Sequence, residues 1–216
     1  MSFLNQLKNQ AQTLREQESG FQQDLTAVTQ ATENACITAL NYLRDLCAQL
    51  NVIKPPAAGR FSLDGKAPFP QMQMLNFRCD SRKKMHRGKE MFDYIGIGWD
   101  LLPSTGKVAT HSIAVNFPPD LERVTKRLSF GHINHERKEQ RHPETNKLQA
   151  YIFEYQTQSR GSVTLSPDQD TGQIAFRLSN IQEFAVDNMT YPAQQVTSGL
   201  LDELAKRIVG QQSRFV

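Results

Sequence analysis

No apolar run in this chain approaches the roughly 20 residues that cross a bilayer, so a membrane-spanning helix is not expected. The opening residues, MSFLNQLKNQAQ, lack the charged leader, apolar block and small-residue cleavage site of a secretion signal, and a cytoplasmic location is expected. Cysteine is scarce. Cys36, Cys47 and Cys79 are an odd set without C-x-x-C spacing. Cys36 and Cys47 fall on one expected helix, where eleven residues correspond to roughly 16 Å, too far for a disulfide. All three are read as buried thiols of a reducing compartment.

The signatures of catalysis and cofactor binding are missing as well. There is no G-x-x-x-x-G-K-[ST] phosphate loop, no G-x-G-x-x-G after a strand and no G-x-S-x-G elbow. The G-x-G of YIGIGWD lies inside a strand pattern, where Gly96 and Gly98 give room for a neighbouring backbone or helix. Ser112 beside His111 and Ser129 near His132 have nothing around them that would activate a nucleophile. No cofactor is expected, and the chain reads as non-catalytic.

What is present is an ordinary globular composition, 38% hydrophobic and 22% charged over 216 residues, enough for one well-filled core. Residues 1–50 read as a long amphipathic helix with a coiled-coil-like heptad. The d positions Leu7, Leu14, Phe21, Val28, Ala35 and Tyr42 are all apolar, while Glu18 and Thr32 interrupt the a positions, which include Leu25. Two readings follow. In one, Leu7, Leu14, Phe21, Leu25 and Val28 pair copies of the chain into a homo-oligomer. In the other, the helix lies on the molecule's own sheet.

Residues 51–70, with four prolines and two glycines, read as a tether pinned to the core by Phe61, Leu63 and Phe69. Residues 71–216 read as an α+β domain. Seven segments alternate with period two: QMQMLNFRC, MFDYIGIGWDLL, KVATHSIAVNF, LQAYIFEYQTQ, GSVTLSP, QIAFRLS and EFAVDNM. A short middle helix opens at Pro118-Pro119-Asp120, and a C-terminal helix begins near Tyr191-Pro192 and stops at Gly210. Short connections predict a largely antiparallel sheet of about seven strands with the helices against one face.

The positive charge is concentrated. Residues 78–89 carry Arg78, Arg82, Lys83, Lys84, Arg87 and Lys89 against Asp80 alone. Residues 122–147 add seven basic residues, Arg137, Lys138 and Arg141 among them, against four acidic ones. Such a surface attracts phosphate groups, Arg through bidentate hydrogen bonds as well as charge. Phe77, Phe92 and Tyr94 flank the first run, though no RRM, helix-turn-helix or zinc-finger signature accompanies them.

GHINHERKEQRHPETNK, residues 131–147, reads as an exposed polar loop. His132, His135 and His142 are nominal metal ligands there, but Arg137, Lys138 and Arg141 would repel a divalent cation. Three function classes follow. The first is a self-associating binding protein that presents its basic surface to nucleic acid or another polyanion. The second is a scaffold or accessory subunit that docks a protein partner through the N-terminal helix. The third is a metal-dependent enzyme using the histidine cluster.

Overall fold

The computed structural model describes the backbone of residues 3–216 and the side chains of Gln12 and residues 25–216. Helix α1 spans Phe3–Ile53. Four elements follow: β1 (Met72–His86), β2 (Lys89–Pro103), β3 (Thr110–Val115) and α2 (Pro118–Phe130). The chain then runs through β4 (His135–Arg141), β5 (Leu148–Gln156), β6 (Ser159–Asp168), β7 (Gln173–Ser179) and β8 (Val186–Pro192), and a 3-10 turn leads into α3 (Ser198–Ile208). Every strand pair is antiparallel.

The α+β architecture and three helices follow the sequence reading, but the strands form two sheets. A five-stranded sheet runs β1-β2-β6-β7-β8 and a three-stranded one runs β3-β5-β4. Residues 135–141, read from sequence as loop, are an eighth strand. HERKEQR has no apolar residue, every position is exposed, and its extended conformation comes from pairing with β5. The turn Pro103–Gly106 does not close a hairpin, because β2 and β3 belong to different sheets. Tyr191 and Pro192 finish β8 instead of starting α3.

The five-stranded sheet buries one face. Ile95, Ile97, Trp99 and Leu101 of β2, Val163 and Leu165 of β6, and Ile174, Phe176 and Leu178 of β7 all point to it. Against that face α1 lays Thr32, Ala35, Cys36, Ala39, Leu40, Leu43, Cys47 and Leu50, all buried. Their spacing of three and four is that of a broad stripe docked on a sheet. Leu201, Leu204 and Ile208 of α3 close the core beside it, and Tyr42 of α1 donates a 2.6 Å hydrogen bond to Asp202.

Segment 51–70 is tied down by Phe61, Leu63 and Phe69, all buried. Phe69 stacks on Tyr155 and meets Phe184 edge-on, which joins the small sheet to the main core. Among the described residues no helix covers the opposite face of the large sheet. Along β6 and β7 the apolar residues alternate with Arg160, Ser162, Thr164, Ser166, Ala175 and Arg177, all exposed or half-exposed.

Candidate polyanion-binding surface

The basic run does not sit in a loop. β1 and β2 form one long hairpin whose two-residue turn is Arg87-Gly88, both at positive φ, so the cations from Arg78 to His86 belong to a strand. A bulge at Asn76, where φ is 55°, shifts the pairing of β1 and sets which residues face outward. Beyond it Phe77 and Cys79 turn toward the helix side, while Arg78, Asp80 and Arg82 stand on the open face.

Cross-strand register then builds two rows. Arg78 lies beside Gly98, Ser162 and Ser179, and Asp80 lies beside Gly96, Thr164, Arg177 and Asn188. Gly98, Ser162 and Thr164 form a low floor beside Arg78, whereas Gly96 is buried beneath the Asp80 carboxylate. At ~4.8 Å per strand, Arg177 stands about 14 Å from the β1 cations.

The cations are oriented by carboxylates. Asp100 accepts from Asn76 Nδ2 at 2.9 Å and from Arg78 Nη2 at 3.3 Å, and Arg160 Nε lies 3.7 Å away. Asp93 takes Arg82, whose Nε is at 2.9 Å, and Lys84 Nζ at 2.8 Å. Hydrogen bonds from Lys84 and Arg82 hold the Asp93 carboxyl below the usual carboxylate range. The Arg82 guanidinium sits 5.2 Å over the Tyr94 ring, and Tyr94 Oη donates to Asp80 at 3.0 Å. That bond, with the Asp80 charge, lifts the Tyr94 phenol above its ordinary value.

These pairs neutralise part of the charge that the sequence concentrates. Arg78 and Arg160 nevertheless keep side chains 65% and 71% exposed, so both guanidinium edges remain accessible. A polar cleft of about 340 Å³ continues the surface toward the small sheet, lined by Asp100, His132, Asn134, Gln158 and Arg160 among others.

The remaining sequence candidates go elsewhere. Lys83 lies over the Phe92 ring at 5.0 Å. Arg87 and Lys89 are at the hairpin tip, where Arg87 pairs with Asp170 at 3.1 Å and both line a cleft with Leu25, Thr29 and Glu33 of α1. Of the second basic stretch, Arg137, Lys138 and Arg141 lie on β4 of the other sheet and Arg123, Lys126 and Arg127 on α2, so the two stretches share no sheet. Arg137 covers the Tyr151 ring at 3.8 Å, Lys138 bonds Glu154 at 2.6 Å and Arg141 bonds Glu139 at 2.7 Å.

The histidines are also separated. His135 and His142 lie at and just beyond the two ends of β4, roughly 23 Å apart along an extended strand, too far to share an ion. His142 Nδ1 instead accepts from the amides of Glu144 and Thr145 at 3.3 Å. Among the described residues no group of three or more His, Cys, Asp or Glu could hold a metal. Of the oligomerisation candidates, Leu7, Leu14 and Phe21 lie outside the described side chains. Val28 packs beside Gly172 in the β6–β7 turn, and Leu25 lines the hairpin-tip cleft.

The sequence pattern alone does not distinguish Arg160 and Arg177 from other outward-facing strand residues. Each alternates with core residues in a strand, which marks it as outward-facing. Only the strand order places both on the face of Arg78. No protein family, curated protein or solved structure matches the chain.

Proposed function

We propose that the protein is a non-catalytic binding protein that takes a polyanion, nucleic acid first among them, on the open face of its five-stranded sheet. One observation carries the reading. Arg78 and Arg160 share the single carboxylate of Asp100 beside the low floor of Gly98 and Ser162. A phosphate seated there takes charge-assisted hydrogen bonds from both guanidinium groups, with Arg177 reaching the next phosphate along. Tyr94 adds an aromatic surface at the same edge for an unpaired base.

Self-association through the part of α1 that precedes Leu25 would give such a surface multivalency. The support is the sequence stripe of Leu4, Leu7, Leu14 and Phe21, which continues the heptad beyond the residues that α1 lays on its own sheet.

The test is fluorescence anisotropy with labelled single- and double-stranded DNA and RNA across a salt series. The expected result is binding that weakens steeply with salt and is lost in the triple variant Arg78→Ala/Arg160→Ala/Arg177→Ala. An unchanged affinity and salt slope in that variant, or no binding at low salt, removes the polyanion reading and turns the search to protein partners of α1.

A further inference from the structure

Cys47 and Cys79 are remote in sequence and adjacent in space. The Asn51 side chain brackets the backbone of Phe77, its Oδ1 accepting from the Phe77 amide at 2.8 Å and its Nδ2 donating to the Phe77 carbonyl at 2.9 Å. Cys47 precedes Asn51 by one helical turn, about 6 Å of rise, and Cys79 follows Phe77 by two strand residues, about 6.6 Å. The helix and strand run in opposite directions at this contact, so the steps match and bring one thiol opposite the other. The two thiols hydrogen-bond. Cys47 is 7% exposed, whereas Cys79 is half-buried and reachable from solvent.

We propose that Cys47 and Cys79 are an oxidisable dithiol, closing to an intramolecular disulfide when the protein meets a low-molecular-weight disulfide such as glutathione disulfide. The Cys79 thiolate attacks one sulfur of the oxidant, forms a mixed disulfide and expels one glutathione thiolate. Cys47 then loses its proton, and its sulfur attacks the Cys79 sulfur and expels the second glutathione. Two protein thiols are oxidised to one disulfide, and the oxidant is reduced to two thiols.

The order of attack follows from the surroundings. The hydrogen bond with Cys47 brings the Cys79 thiol below its ordinary value; burial and Asp80 oppose this, and Arg44 adds to it. The same hydrogen bond, then burial, raises Cys47. Cys36 is pushed up to about 12 by burial and by Glu33, and it is only 1% exposed, which makes it the inert member of the three.

The experiment uses the reduced full-length protein treated with glutathione disulfide, read by intact mass and by a non-reducing tryptic map. The mass should fall by about two units, the two hydrogens lost on closing one disulfide. The map should yield the peptide Asp45–Arg60 joined to Cys79–Arg82. Cys36→Ser should keep the link, and Cys47→Ser or Cys79→Ser should each abolish it. Before oxidation, limiting iodoacetamide should label Cys79 several-fold faster than either other cysteine. A link through Cys36, a link between chains, a stable glutathione adduct on the wild-type protein, no loss of mass, or preferential labelling of Cys36 or Cys47 would each overturn the assignment.

Discussion

The indole of Trp99 lies flat against Gly161, its cross-strand partner on β6. A β-carbon at that glycine would fall inside the van der Waals shells of Trp99 Cε2, Cζ2 and Nε1. Trp99 is 1% exposed and stacked on Phe77, so it has nowhere to retreat. Gly161→Ala should therefore destabilise the fold by roughly 1–3 kcal/mol, the range for overpacking a filled core. Equilibrium denaturation measures it, and a stability within error of the wild type would show that the ring can move.

Asn51 completes a strand where the ladder fails. The bulge at Asn76 takes the Phe77 amide and carbonyl out of pairing with β2, and the Asn51 side chain satisfies both. Asn51→Ala leaves those groups to whatever water reaches them and should cost about 1–3 kcal/mol. A loss below about 0.5 kcal/mol, the scale of an ordinary surface substitution, would mean that water replaces the amide fully.

That contact also marks where the sequence stops being informative. Period-two alternation exposes seven strands, and the 32–50 stripe of α1 is visible in its spacing, because both patterns report local burial. SRKKMH falls outside the alternating segments because its charges hide the period; they are solvated, but on a strand whose partner supplies Asp93 and Asp100. HERKEQR carries no alternation, since β4 is an edge strand exposed at every position. The pairing of Arg78 with Arg160, and of Cys47 with Cys79, depends on strand order and on the bulge, and neither leaves a local pattern.

Burial lifts the Tyr42 phenol above its ordinary value, and the hydrogen bond to Asp202 and the charge of that carboxylate lift it further. The fold prefers the neutral phenol. Its contribution is whole below about pH 10, where the unfolded chain's tyrosine begins to ionise, and is lost as pH rises through the higher folded value. The stability gap between the wild type and Tyr42→Phe should therefore narrow from about pH 9 to pH 11. A gap independent of pH across that window would show that Tyr42 does not keep its proton for the fold.

Arg177 is exposed and has no ion-pair partner among the described residues, so its removal disturbs nothing else. Arg177→Ala should leave the unfolding midpoint unchanged and reduce the slope of log affinity against log salt by about one phosphate contact for nucleic acid. Arg137→Ala, on the other sheet, should leave that slope alone. Equal effects of the two substitutions would place the ligand elsewhere than on the open face.

If the proposed self-association holds, α1 has two roles that a cut in the right place separates. Ending the removal at residue 53 would strip Ala35, Cys36, Ala39, Leu40, Leu43, Cys47 and Leu50 from the core, and the sheet would lose its cover. Ending it at residue 23 keeps Val28 against the β6–β7 turn and Thr29 Oγ1 donating to the Gln169 carbonyl at 3.1 Å. The shortened chain should still unfold in one cooperative transition, because every buried α1 residue named above lies beyond the cut. In sedimentation it should be monomeric where the full chain is associated. A shortened chain that stays associated would acquit the Leu4–Phe21 stripe, and a full chain that sediments as a monomer would end the self-association reading while leaving the open-face site to be judged on its own binding data.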